Sequence, residues 1–150
     1  MLVARMMMDK SEITVRPYTP VSSDQDKGHV QFVVKVCRPT LYHPFGGKMS
    51  QYLDRLEIGD QIEILGPIGD FEYLKDGKYS IQDKMHTVKQ INMVAGGAGI
   101  TPFIHLAVHI IRHLEDPTQM SLIYACRDEP DLLLRSVLDQ WAELFPSSFR

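Results

Sequence analysis

Three short stretches of this chain combine residue types that can hold an anion. In MVAGGAGITPF, residues 93–103, an apolar run ends in Gly96, Gly97, Ala98 and Gly99, followed by Thr101 and Pro102. Glycines there permit positive φ and let main-chain amides approach a ligand closely. A helix starting just beyond adds oriented N–H donors and the positive end of its dipole, which suits phosphate. The pattern is not G-x-G-x-x-G, because Pro102 stands where the last glycine would be. It is not a Walker loop either, because no Gly-Lys-Ser/Thr follows. The same residues equally make a tight, capped turn, and both readings stay open on this stretch alone.

The second stretch is Arg16-Pro17-Tyr18-Thr19-Pro20. Its prolines hold the backbone extended, presenting a guanidinium, a phenol and a hydroxyl close together. Arginine grips phosphate bidentately, tyrosine packs against an aromatic ring, and threonine hydrogen-bonds. An edge strand followed by a turn accounts for the same residues. The third is Gly46-Gly47-Lys48-Met49-Ser50, leading into QYLDRL, with Ser50 as the N-cap of a short amphipathic helix. Glycines, a lysine and a helix start converge there, again suiting an anion, or else a Gly-rich loop with a solvated lysine.

His105, His109 and His113 recur at i, i+4 and i+8 and could suggest a metal stripe. They lie opposite Phe103, Ala107, Ile110 and Leu114, and no cysteine or suitably placed carboxylate completes a site. We therefore expect a solvated polar face and no metal. Met6-Met7-Met8 reads as strand packing, and Trp141 as core.

The elements that must carry these stretches change character near residue 90. Before it, short alternating segments broken by Gly, Pro and Asp predict an antiparallel barrel or sandwich. The clearest strand is His29–Arg38, with Val30, Phe32, Val34 and Val36 on a core face and Gln31, Val33, Lys35 and Cys37 opposite. Gln61–Leu65 alternates likewise. After residue 90 the pattern is strand (Ile91–Ala95), helix (Pro102 to about Leu114, with Thr101 as N-cap), strand (Leu122–Ala125) and helix (Asp131–Phe145). Such a succession predicts parallel strands joined by a crossover. A third strand is expected near Phe149-Arg150.

With 44% hydrophobic and 23% charged residues in 150, the chain is globular rather than disordered. A net charge of −3 without a Lys/Arg block argues against nucleic acid as a partner. Two cysteines, Cys37 and Cys126, form no disulfide framework or metal spacing, which fits a reducing compartment. No apolar run is long enough to span a bilayer, and MLVARMMMDK lacks the features of a signal peptide.

The order RPYTP, VVKV, HP..GGKMSQYL, GP.G and AGG.GITP resembles the flavin-dependent ferredoxin reductase superfamily. It is most similar to the NADH-cytochrome b5 reductases and the flavin domain of eukaryotic nitrate reductases, from about Val3 to Phe145. The resemblance implies a partial antiparallel FAD-binding barrel, residues 1–88, followed by a partial parallel α/β nucleotide-binding domain, residues 89–150. It implies that the barrel's opening strands precede residue 1, and that the Cys-Gly-Pro-Pro-x-Met segment follows residue 150.

By position, Arg16 would meet the FAD pyrophosphate and Tyr18 the flavin or ribityl chain, with Pro17 between them. Thr19 would lie near flavin N5. Val33 and Lys35 match cofactor-contacting positions, and Lys48, Met49 and Ser50 the pyrophosphate-holding segment. Gly96, Gly97, Ala98 and Gly99 would underlie the nicotinamide nucleotide, and Thr101 would contact the flavin. Thr19 and Lys35 would tune the flavin and the nicotinamide approach, and no side chain needs to act as a nucleophile. The implied cofactors are FAD and NADH, with NADPH left open, and the implied partner is a haem protein such as cytochrome b5. The protein would sit at the cytosolic face of the endoplasmic reticulum or mitochondrial outer membrane if anchored by a segment outside this chain, and otherwise in the cytoplasm. A nitrate reductase flavin module and a non-catalytic fragment serving as an interaction domain are the other expectations.

The chain departs from the family in places. Ala98 replaces a common threonine, Cys37 a common tyrosine and Arg38 a common aromatic. The His43-Pro44-Phe45-Gly46 segment is short.

Overall fold

The computed structural model describes residues 1–9 and 12–150. Two antiparallel sheets come first. Strands β1 (Leu2–Asp9) and β2 (Glu12–Tyr18) pair as a hairpin, and β3 (Glu63–Leu65) lies on the other side of β1, giving the order β2-β1-β3. Strand β2, which carries Arg16 to Tyr18, is therefore an edge. Helix α1 (Lys48–Leu53) packs Met49 against Ala4 and Met6. Met6 thus packs in a strand as expected, while the side chains of Met7 and Met8 fall outside the described residues.

The second sheet is a meander of β4 (Phe71–Lys75), β5 (Lys78–Ile81) and β6 (Lys84–Thr87). Both its turns, Asp76-Gly77 and Gln82-Asp83, have positive φ at both central residues, the geometry that matches strand twist in a two-residue hairpin. Gly77 has a further constraint. A Cβ on it would lie 1.8 Å from the carbonyl oxygen of Val88, a main-chain atom that cannot swing away.

Next, β7 (Gln90–Gly96) and β8 (Gln119–Ala125) pair in parallel, from Gln90 opposite Gln119 to Gly96 opposite Ala125. Helix α2 (Thr101–Arg112) connects them, and α3 (Arg135–Leu144) follows β8. Phe149 makes a parallel bridge to Met120, so a third strand begins beside β8 where one is expected. The apolar face of α2 buries Leu106, Ala107 and Ile110 with Met93, Met120 and Phe149. A second cluster joins Ala95, Ile100 and Ile104. Trp141 packs against both clusters, with its ring edge-on to Phe149 at 5.8 Å.

Several local expectations are corrected. His29–Arg38 is extended but is no ladder strand. Its main chain is tied to the rest of the described chain at Gln31, to Val21 and Ser22, and at Cys37, to Gly47 and Ser50, while the Lys35 carbonyl accepts from the Cys37 thiol within the stretch. Alternation sets the facing of side chains, but a strand also needs a neighbour for its N–H and C=O groups. The facing holds at the centre, where Phe32 and Val34 line an apolar cavity of about 290 Å³ with Ile62 and Ile64, but Val30, expected on the core face, is 52% exposed. The Gln61–Leu65 strand is confined to Glu63–Leu65. Helix α2 ends at Arg112, which leaves Leu114 83% exposed. Helix α3 starts at Arg135, after a 3-10 turn at Glu129–Asp131 and a left-handed Leu134.

The histidine face of α2 is not simply solvated. His105 Nδ1 lies 3.1 Å from the Ser22 carbonyl oxygen, Arg112 donates to Asp26 at 2.7 Å, and Gln25 approaches His113. The Arg112 hydrogen bond holds the Asp26 carboxyl below the usual carboxylate value. Loop 21–27 thus straps the antiparallel part onto α2. Helical periodicity separates polar from apolar faces, but it does not say which loop covers the polar one.

The other junction is buried. Asp116 is 6% exposed and accepts hydrogen bonds from the Tyr73 hydroxyl at 2.8 Å, the Asp76 amide at 3.1 Å, the Thr118 amide at 3.0 Å and the Thr118 hydroxyl at 2.6 Å. The Gly77 amide donates in turn to the Tyr73 oxygen at 2.9 Å. Burial pushes the Asp116 carboxyl up, but these bonds outweigh it and leave it below its ordinary 3.8.

A carboxyl lowered by folding adds stability above its unfolded-state value, and that stability is lost as pH falls through the folded value. Asp116→Asn should therefore destabilise the chain at pH 7, by about 1–3 kcal/mol for the broken buried network. In urea titrations the gap from the unsubstituted chain should shrink below about pH 3.8. Gly77→Ala should cost about 2 kcal/mol or more in the same assay, from strained φ and the clash with Val88.

Candidate functional site

Open parallel sheets bind ligands beyond the carboxyl ends of their strands, and the glycine turn lies at that end of β7. The chain leaves β7 at Gly96 and passes through a 3-10 turn, Gly97–Ile100, into α2. Gly97 has φ +51, a value that favours glycine. A Cβ at Gly96, Gly97 or Gly99 would meet no protein atom within 4 Å. The bare main chain therefore faces open space, and a side chain at these positions would project into it. Ala98 is exposed beside them.

Thr101 is the first residue of α2, with helical φ and ψ, rather than its N-cap. The intervening 3-10 turn moves the helix start back to Ile100, and the Thr101 hydroxyl instead donates to the Ala98 carbonyl at 3.3 Å. It is 9% exposed, so it braces the turn from within. The turn is also held from β8. The Tyr124 hydroxyl donates to the Gly97 carbonyl at 2.9 Å and accepts from the Leu133 amide at 3.2 Å. Burial pushes the Tyr124 phenol up, against the Leu133 hydrogen bond.

Lys35 reaches this turn from the antiparallel part. It lines a cavity of about 250 Å³ together with Gly97, Ala125, Cys126, Arg127 and Asp131. Its ammonium lies 2.7 Å from Asp131 Oδ1, while Arg127 approaches Oδ2 at 3.2 Å. The Lys35 hydrogen bond, helped by Arg127 and opposed by desolvation, holds the Asp131 carboxyl below its usual value. Half-buried Val33 shares the Lys35 face by alternation. From Ala125–Arg127 a larger cleft of about 770 Å³ continues along β8 and α3.

The remaining predicted residues lie on edge strand β2, just past it, and on helix α1. Arg16 is exposed on edge strand β2. Its guanidinium donates to the Val15 carbonyl at 2.8 Å and has no carboxylate partner among the described residues. Pro17 is exposed, and Thr19 is half-buried just past the strand. Tyr18 packs into the β1–α1 cluster, edge-on to Phe32 at 6.4 Å. Burial first, then Cys37, raises its phenol against the effect of Arg16. Lys48 is exposed at the start of α1.

Met49 and Ser50 point inward. Met49 is core, and Ser50 accepts from the Cys37 amide at 3.1 Å and donates to the Gly47 carbonyl. Gly47, not Ser50, is the N-cap of α1. What this segment can offer a ligand is main chain and Lys48.

Sequence reasoning missed three residues at the turn. Tyr124 had a faint signal, as a hydroxyl in an otherwise apolar strand. Arg127 and Asp131 pair with each other only four residues apart, and what the sequence hid is the approach of Lys35, nearly a hundred residues earlier, to the same carboxylate.

The donor set fits the two groups implied by the resemblance. An edge arginine with no carboxylate partner suits a pyrophosphate. A bare glycine turn at a strand end, a helix start and two cations on one cavity suit a dinucleotide. Among the described residues no His/Cys/Asp/Glu group has metal-site geometry.

Known proteins agree. Residues 1–73 match the family model described as oxidoreductase FAD-binding domain, and residues 93–150 match oxidoreductase NAD-binding domain. NADH-cytochrome b5 reductase 1 of Rattus norvegicus is 42% identical over 151 residues, covering 95% of this chain and 49% of the relative. An NADH nitrate reductase of Nicotiana tabacum is 39% identical over 137 residues, covering 90% of this chain and 15% of that protein. The cytochrome b5 reductase domain of Ulva prolifera nitrate reductase superposes with a TM-score of 0.94 at 37% identity, covering 99% of this chain and 57% of that one. The chain thus spans about half the length of the cytochrome b5 reductases it matches. With motifs, fold and relatives in agreement, the chain belongs to the ferredoxin-reductase-type flavoprotein superfamily, beside the NADH-cytochrome b5 reductases and the flavin domains of nitrate reductases.

Proposed function

We propose that this chain is the cofactor-binding portion of an FAD-dependent NADH reductase of the cytochrome b5 reductase type. The observation that carries the reading is the meeting of Lys35, from the antiparallel part, with the Gly97 turn, from the parallel part, on one cavity. A hydride-transferring flavoprotein must bring two cofactors together where its two domains meet, and this cavity lies between the two parts. The proposed boundary falls at residues 88/89, with FAD held by 1–88 and the nicotinamide nucleotide by 89–150.

FAD, when bound, supplies the chemistry of accepting a hydride from NADH and releasing single electrons to a haem acceptor. Arg16 anchors its pyrophosphate, assisted by Lys48 and the main chain at Met49 and Ser50. Pro17 keeps the strand extended, so that Tyr18 and Thr19 follow toward the flavin, with the Thr19 hydroxyl near its reactive edge. Val33 supplies an apolar wall, and Thr101 meets the flavin from the second domain. Gly96, Gly97, Ala98 and Gly99 give the nucleotide a bare main-chain floor, with the α2 N-terminus behind it, and Lys35 orients the nicotinamide end.

The acceptor is a haem protein such as cytochrome b5. No helix among the described residues is long and apolar enough to cross a membrane. Placement at the endoplasmic reticulum or mitochondrial outer membrane would rest on an anchor outside these residues. The 0.94 TM-score to the Ulva domain supports a second reading, the flavin module of a nitrate reductase, which keeps every residue role and changes only the acceptor.

The purified chain should show a flavin spectrum with added FAD, bleached anaerobically by NADH. A chain that stays colourless with FAD would overturn the reading. Arg16→Ala removes a charge-assisted contact worth about 1.5–3 kcal/mol, so the Kd for FAD should rise about tenfold or more. Binding of ADP-ribose should change little. A larger loss in ADP-ribose than in FAD affinity would refute the pyrophosphate assignment.

A further inference from the structure

Beside the glycine turn, the loop after β8 brings one carboxylate between two cations. We propose that Asp131 is a positioning residue, whose carboxylate fixes the Lys35 ammonium and the Arg127 guanidinium on the rim of the Gly97 cavity and so presents both cations to a bound dinucleotide. This rests on reading the cavity as the nicotinamide nucleotide site.

Each carboxylate oxygen takes a different cation, Oδ1 at 2.7 Å from Lys35 Nζ and Oδ2 at 3.2 Å from Arg127 Nη2. The side chains of Lys35 and Asp131 are only 30% and 24% exposed, against 71% and 34% for the surface pair Arg38–Asp54. The cavity pair is therefore less screened by solvent and salt. A lysine is a point charge on a flexible four-carbon stem, and a fixed partner is what gives it one position. Two cations against one carboxylate leave the rim positive, the sign a dinucleotide pyrophosphate requires.

The mount is itself fixed. Asp131 closes the 3-10 turn that begins at Glu129, its amide donating to the Asp128 carbonyl at 3.0 Å. Two residues on, the Leu133 amide donates to the same Tyr124 hydroxyl that donates to the Gly97 carbonyl. One phenol thus ties the loop carrying Asp131 to the glycine turn, so Lys35 is positioned against the floor the nucleotide would use. The contrary role is that of a gate, in which Asp131 holds Lys35 away from the ligand and repels its phosphates. The two roles predict opposite signs for its removal.

The test uses the full chain loaded with FAD. Acylation of Lys35 by a water-soluble reagent, mapped by mass spectrometry, should be slow in the unsubstituted protein. It should rise about threefold or more in Asp131→Asn and return toward the original rate in Asp131→Glu. ADP-ribose binding should weaken about three- to tenfold in Asp131→Asn, with the flavin spectrum unchanged. In a Lys35→Met background the same substitution should have a much smaller effect, since Asp131 acts largely through Lys35. Unchanged Lys35 acylation in Asp131→Asn would overturn the proposal. So would additive losses in the double variant, or tighter nucleotide binding. If the unsubstituted protein binds FAD but no ADP-ribose, the nucleotide-site reading fails, and the acylation rates alone decide whether Asp131 fixes Lys35.

Discussion

A charged side chain with almost no exposed surface joins the two halves of this protein. Asp116 is tolerable in its position only because four donors surround its carboxylate, and those donors come from both halves. Tyr73 and the Asp76 amide belong to the β4–β5 hairpin, while Thr118 leads into β8. The bonds are directional, so they fix orientation as well as proximity. Tyr73 extends the joint by packing its ring into the α2–sheet core and against His109 at 5.7 Å. A cavity walled by Lys35 on one side and Gly97 on the other keeps its shape only while that orientation holds.

The strap at loop 21–27 works differently. Its ion pair, Arg112 with Asp26, is solvent-facing, and such pairs contribute little to stability. Its value is geometric. Together with the His105–Ser22 contact, and with Val21 packed against the second core cluster, it lays the segment after Thr19 along the polar face of α2. Among the described residues the antiparallel half is therefore held at the buried Asp116 junction, at this exposed strap and, through Lys35 and Asp131, beside the glycine turn. Contacts at three separate places leave no single axis about which one part can turn on the other.

What the sequence revealed follows from the range of each interaction. The β7–α2–β8 unit was legible because its apolar period changes from a continuous run to a helical stripe within a few residues, and its turn carries glycine and proline. The motif order revealed the family and the fold. The strand at His29–Arg38 was misjudged because alternation is local while a ladder is not. Ser50 and Thr101 were misplaced as caps because each hydroxyl found a different carbonyl, Gly47 and Ala98, once a neighbouring residue had begun the helix. Within the site, the glycines were legible from type and spacing, and Lys35 only through the family resemblance, with alternation giving its face. Tyr124 and Asp131 were not, since their roles exist only after β8 and its following loop fold back over the turn.

Charge shows the same contrast between local and global. The whole chain is acidic, with a net charge of −3, which taken alone disfavours an anionic ligand. Within a Debye length of about 8 Å at physiological salt, however, only nearby charges count. Around the Gly97 cavity these include Lys35, Arg127 and Asp131. Asp131 is committed to both cations, and the open main chain of the turn adds uncharged donors that salt does not neutralise. Acidic surface elsewhere lowers the long-range attraction for a nucleotide without altering the local charge of the proposed site. The expected cost of the overall charge is therefore in the rate of encounter rather than in the contacts that hold the ligand.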